Sequence, residues 1–147
     1  IKSPKIYFLD IALASRLQGW RSADPVLVSP AAGPLFETLV FSEIVKARDH
    51  FSLPIDLYFY RTKEGEEIDF LLSIETPNGR VGIAIESKLA VQGDPEVSWP
   101  KKLSSDFPEL REKWVVMLGK RSDRTPSKDR VLTILELTDA LREIAGS

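Results

Sequence analysis

The chain has 147 residues, 43% of them hydrophobic, enough to bury one sizeable core within the usual range of a single domain. Its 20 basic and 22 acidic side chains leave a net charge of −2, which excludes a histone-like polycation and an acidic solvating tail. With no cysteine and a single histidine, His50, disulfides, thiolate metal sites and multi-histidine zinc centres are excluded, and no apolar run is long enough to span a bilayer.

Any chemistry must therefore rest on carboxylates, lysines or hydroxyls. The chain begins at Ile1 without a signal-peptide pattern, so the expectation is a cytoplasmic piece of a longer protein, with 1–147 a single domain and 1–33 an extension to its core.

In chain order, Lys5–Leu9 reads as a short strand. Asp10 then caps a helix with Leu13 and Leu17 on one side, ending near Gly19. Residues 20–34, with Pro25, Pro30, Gly33 and Pro34, read as a loop, and Pro34 suits the first turn of a helix running to about Arg48. Three strands are predicted at Leu57–Tyr60, Ile68–Ile74 and Val81–Ala90, joined by hairpin turns at Lys63–Glu66 and Thr76–Gly79. A short helix at Pro100–Phe107, a strand at Trp114–Leu118, a polar loop at Gly119–Arg130 and a strand at Val131–Leu137 follow. Thr138 is expected to cap a last helix with Leu141 and Ile144 inward.

Charge is unevenly spread along this order. Residues 61–100 carry a net −4 and residues 101–130 a net +4. An acidic cluster followed by a basic stretch suits a metal site beside a phosphate-binding rim, although a solvated surface has the same signature.

Several carboxylates fall where carboxylates are costly. On a helical wheel over 35–48, Thr38, Ser42 and Lys46 form the only wholly polar side. Glu37 lies about 40° from the centre of the apolar arc and Glu43 about 80° from it. An acid on a buried face costs roughly several kcal/mol unless a cation, a metal or hydrogen bonds compensate. Period-two alternation places Ile68, Phe70 and Leu72 on one face of their strand, with Glu67 and Asp69 on the other. The next strand is nearly all apolar until Glu86, as suits a central strand. Gly82, Ala84, Glu86 and Lys88 share one side of it, where the small residues leave room for a helix to pack closely.

Asp69 and Glu86 could hold a Mg²⁺ or Mn²⁺ ion, which prefers carboxylate oxygens and water, with Glu37 supporting its ligands from outside or reaching the ion through water. Lys88 could orient the attacking water or stabilise developing charge. Neither histidine nor cysteine is required.

Glu37 in a helix, Asp69 in a hairpin strand and Glu86-Ser87-Lys88 in the next strand resemble the PD-(D/E)xK nuclease-like superfamily. More narrowly, Ser3–Asp10 with Leu13-Ala14, Gly33–Glu37, Gly65–Phe70 and Glu86–Lys88 resemble the C-terminal domain of prokaryotic AAA-type ATPases. The proline of the superfamily's name is replaced here by Ile68. The resemblance implies an α/β, restriction-endonuclease-like core (helix, three strands, helix, strand) with a strand-helix addition at each end. It also implies partners in the same full-length chain, an ATPase and a winged helix before Ile1. No Gly-x-x-x-x-Gly-Lys-[Ser/Thr] loop provides an ATP site in the fragment itself.

The expected function is a Mg²⁺-dependent nuclease, or a nuclease-like module binding DNA or RNA, with Asp69, Glu86 and Lys88 catalytic and Lys101 and Lys102 meeting phosphates at a helix start. The alternative is a catalytically silent regulatory or assembly domain of the ATPase. Shared alternation phase predicts Asp69, Glu86 and Lys88 in one pocket.

Overall fold

The computed structural model describes residues 5–90, 95, 97–119 and 129–146. It is a mixed α/β structure built on a five-stranded sheet. Helices α1 (Ile11–Leu17) and α2 (Ala23–Leu27) lead into the long α3 (Ala32–Phe51). Strands β1 (Ile55–Arg61), β2 (Glu67–Thr76) and β3 (Gly79–Lys88) follow, then the one-turn α4 (Leu103–Asp106), β4 (Leu110–Met117), β5 (Arg130–Thr133) and α5 (Leu137–Ala145). The sheet order is β1-β2-β3-β4-β5. The first three strands form an antiparallel meander, while β3, β4 and β5 are parallel.

The larger core lies between the sheet and helices α3 and α5, where Phe36, Val40 and Ile44 meet Phe70, Leu72, Ile83, Ile85 and Trp114. Smaller clusters cover the other side: Ile68, Leu71 and Ala84 under Leu103 of α4, and Val115, Met117 and Val131 under Trp99. A helix over one side and a chain crossover over the other explain why β3 is apolar on both. The crossover comes close. The Gly82 N–H donates to the Glu109 carbonyl at 2.8 Å, and a Cβ at Gly82 would stand 2.6 Å from the Phe107 ring and 2.8 Å from the Glu109 backbone.

Several expected elements differ. Lys5–Leu9 is extended but pairs with no strand, because the segment crosses α3 instead of reaching a sheet edge. Ser42 is buried beneath it, donating to the Leu9 carbonyl at 2.8 Å, so that side of the helix is not the solvated one its composition suggests. Asp10 does cap α1, accepting from the Leu13 N–H at 2.9 Å, but Leu13 and Leu17 are exposed and Ala14 is the buried position. The 20–34 loop contains α2, with Pro25 in its first turn, and α3 starts at Ala32, which places Pro34 in its first turn as expected. That helix runs past Arg48 to Phe51 and ends at Ser52, which takes the left-handed conformation.

The remaining boundaries shift too. The Pro100–Phe107 helix shrinks to four residues, β3 ends at Lys88 before Ala90, and β4 begins at Leu110 rather than Trp114. The 131–137 strand stops at Thr133, and Glu136 instead of Thr138 stands at the start of the next helix, its carboxylate accepting from the Thr133 N–H at 2.7 Å. Leu141 and Ile144 are buried as the pattern requires. Residues 120–128 of the polar loop lie outside the described residues. No helix among the described residues is long and apolar enough to cross a membrane.

Candidate functional site

A bulge in β2 determines where the acids go. Tyr58 pairs with Leu71 but Tyr60 pairs with Ile68, so Asp69 and Phe70 together oppose the single residue Phe59. The alternation restarts there. Ile68 therefore leaves the side of Phe70 and packs with Leu71 and Ala84, a correction to the uniform period-two pattern. The ladder between β2 and β3 stops at Phe70 and Ile85. Beyond it Asp69 bridges the opening strands, its Oδ2 accepting from the Ser87 N–H at 2.8 Å and from the Ser87 hydroxyl.

Glu37 faces this region from α3. Its Oε1 accepts from Lys5 Nζ at 3.0 Å and from the Tyr7 hydroxyl. Tyr7 stacks on Phe41 with ring centres 4.3 Å apart, which fixes the segment across the helix. Lys5 also lies 3.6 Å from Glu67, which Arg61 meets at 3.0 Å. Glu43, farther along the same helix, pairs outward with Lys46 at 2.9 Å.

Glu86 and Lys88 form a pair of their own at 2.8 Å. Alternation from Ile85 puts Ser87 on the α3 side, and Glu86 and Lys88 on the side of Val115 and Met117, their register partners on β4. The shared alternation phase behind the expected Asp69, Glu86 and Lys88 pocket is thus broken at the bulge, yet Asp69 stays close enough to Glu86 for its charge and its N–H to act on that carboxyl. The bulge turns Asp69 toward Ser87, while Glu86 and Lys88 project together from the neighbouring strand. Among the described residues no three acidic or imidazole side chains gather in a metal-binding group.

Burial raises the pKa of Asp69, the two Ser87 hydrogen bonds oppose it, and the charge of Glu37 adds to it. Burial likewise raises Glu86. Lys88 and the nearby Asp69 N–H pull it down, and the Asp69 charge pushes it up. Glu86 therefore senses the charge of Asp69, whose own shift comes from burial, Ser87, Glu37 and Lys5. One Glu86 oxygen, Oε2, is buried without a hydrogen-bond partner among the described residues. For Lys5, burial disfavours the charged form, yet the Glu37 hydrogen bond and the charges of Glu37, Asp69 and Glu67 prevail and raise its pKa. Burial, reinforced by Glu37, pushes the Tyr7 phenol well above its ordinary range.

Lys101 and Lys102 are exposed, and Lys102 stands at the start of α4, which is only four residues long. The sequence reading did not single out Lys5 or Tyr7. The pattern that could have found them is Lys-x-Tyr, which places both side chains on one side of an extended segment.

These features define a mixed α/β domain with a group of partly buried carboxylates at the open end of a strand pair. A family model described as a domain of unknown function, DUF4143, matches residues 32–138, from α3 into α5, and the chain belongs to that family. No curated protein and no solved structure matches it.

Proposed function

We propose that this is a nuclease-like domain with a restriction-endonuclease-like core, serving an AAA-type ATPase as a Mg²⁺-dependent phosphodiesterase or nucleic-acid-binding module. The order α3-β1-β2-β3-α4-β4 supports the core, and the Glu37, Asp69 and Glu86-Ser87-Lys88 motif supports the class. The observation that carries the reading is the buried Oε2 of Glu86, unpartnered among the described residues, next to a second carboxyl, Asp69, whose charge it senses. Two neighbouring acids raised above their ordinary range, one with an unused oxygen, suit a cation that would keep both ionised.

The donor set fits Mg²⁺ or Mn²⁺, which needs only one or two carboxylates and takes its other ligands from water and phosphate. Asp69 and Glu86 would hold the ion, and Glu37 would reach it through water. The ion would supply charge to polarise a phosphate and acidify a water. Lys88, already beside Glu86, positions an ammonium to orient that water or meet developing charge.

Calorimetric titration with Mn²⁺ tests this. Wild type should bind, and Asp69→Asn and Glu86→Gln should each weaken binding. A wild-type chain without Mn²⁺ affinity, or nuclease activity retained in the double variant, overturns the reading.

A second reading, a catalytically silent assembly or regulatory domain of the ATPase, is favoured by one observation. Lys5 and Tyr7 already occupy Glu37, as they would in a fastener. That reading expects no Mn²⁺ binding.

A further inference from the structure

Around the first residues of β4 and β5, a hollow of about 620 Å³ is lined by Trp99, Ser104, Arg111, Lys113, Asp129 and Arg130, with Leu110 and Glu112. Lys113 neighbours Ala84 in the β3–β4 register, two positions before Val115 and Glu86 and four before Met117 and Lys88. Trp99 lines the hollow and packs against both small clusters on the Lys113 side of the sheet, one of which holds Val115 and Met117, the register partners of Glu86 and Lys88.

The charges around the hollow are not evenly matched. Glu112 accepts from Trp114 Nε1 at 2.6 Å and lies 3.8 Å from Arg130, and Asp129 accepts from Trp99 Nε1 at 2.7 Å. Arg130 is further held by Glu143 at 2.6 Å. Lys113 has only the Trp99 ring, 5.6 Å away, and Arg111 donates only to the Pro108 and Leu110 carbonyls at 3.2 and 3.3 Å, among the described residues. Neither has an acidic partner within ion-pair distance among those residues.

Arg111 also sits where β4 carries one residue more than β3, since Gly82 pairs with Leu110 and Ile83 with Glu112. Such an irregularity re-aims a side chain out of the regular alternation. By contrast Lys102 stands in the field of an acid, Glu64. That carboxyl is kept low by its own backbone N–H first, then by the Thr62 hydroxyl and Lys102.

We propose that this hollow, through Arg111 and Lys113 beside Trp99, binds the phosphodiester backbone of single-stranded nucleic acid and leads it toward Glu86 and Lys88. The assignment rests on the nuclease-like reading for its ligand class and adds the surface that receives the strand. Unpaired cations in a concave site attract phosphates, and an aromatic ring beside them is the usual companion in single-strand grooves.

The experiment is fluorescence anisotropy of a labelled twelve-residue oligothymidylate with the 147-residue chain, in EDTA, over a range of salt. Wild type should bind at low salt. R111A/K113A should weaken binding by about tenfold and make the salt dependence shallower by about 1.4 in log–log slope, as loss of two single-strand phosphate contacts requires. K101A/K102A should change both far less. R111Q/K113Q serves as a second variant, with a thermal melt of each to verify folding.

Absence of binding at low salt, or equal loss in R111A/K113A and K101A/K102A, overturns the proposal. Equally tight binding of the matching duplex overturns its single-strand part, and competition by inorganic phosphate alone at equal phosphate concentration overturns the polymer. Because EDTA removes divalent ions, binding here with no Mn²⁺ affinity in calorimetry would sink the metal-dependent reading and leave this one standing.

Discussion

On the α3 side of the sheet, Glu37 is held by Lys5 and Tyr7, Glu67 by Arg61 and Lys5, and Asp69 by both donors of Ser87. On the opposite side, Glu86 has Lys88 for one oxygen and no partner for the other, and Arg111 and Lys113 have no acid within reach, among the described residues. Both sides are charged and both border the same strand. The difference is that one side has satisfied its charges from within the chain, while the other retains both an unused acceptor and unused cations. Matched groups fix a structure. Unmatched ones are where a ligand from outside gains most, since burying or desolvating them without a partner is costly.

The sides also differ in how much core they carry, which sets the largest effect. Trp114 is fully buried in the cluster facing α3 and α5, and its indole N–H is bonded to Glu112 at 2.6 Å. Trp114→Ala should cost about 3–5 kcal/mol in urea unfolding, through lost burial and the cavity left behind. On the opposite side the constraint is space rather than bulk. Gly82→Ala would place a methyl 2.8 Å from the Glu109 backbone, and backbone cannot swing aside as a side chain can. A loss of about 1–3 kcal/mol is expected, and an unchanged midpoint would mean the crossover packs more loosely than these distances imply.

The next test acts on the carboxyls between the two sides. Because Asp69 and Glu86 are raised when folded, the native state holds their protons more tightly than the unfolded chain. Their contribution to stability is therefore present below the ordinary carboxylate range, about pH 4, and is lost as pH rises through the raised values. The stability of wild type relative to the Asp69→Asn, Glu86→Gln double variant should fall as pH goes from about 4 to 7 in the absence of divalent ions. Saturating Mn²⁺ should reverse that slope for wild type alone, because ligands must be ionised to bind. Parallel curves without metal would indicate that neither acid is raised.

Much of this comparison was legible in the residues, and its limits have physical reasons. Apolar runs located the meander and the inward acid on α3, since Glu37 lies within a hydrophobic arc and Glu43 toward its margin. Alternation failed at Asp69 because a bulge is a property of two strands: nothing in Glu67-Ile68-Asp69-Phe70 alone says that Phe59 will face two residues. Ser42 misled for a similar reason. A serine on a polar helix side reads as solvated until a distant segment supplies the carbonyl that buries it. Glu136 displaced Thr138 as the helix cap because the strand before it ended early, and strand ends depend on the partner's length more than on local sequence.

The smallest expected effect asks whether the matched side can be opened. Tyr7→Phe keeps the stacking on Phe41 and removes only the hydroxyl that donates to Glu37, leaving Lys5 in place. Loss of one hydrogen bond to a half-buried acid should cost about 1 kcal/mol in urea unfolding. The same change frees an acceptor position on Glu37, so Mn²⁺ affinity should rise a few-fold if this carboxylate reaches the ion through water. Lys5 would limit the gain, because its ammonium remains 3.0 Å from the same oxygen. A stability loss with no change in Mn²⁺ affinity would remove Glu37 from the metal site and leave it as the anchor of the segment before α1. A gain in affinity would mean that the two sides of β3 differ only in which acids the chain has already engaged.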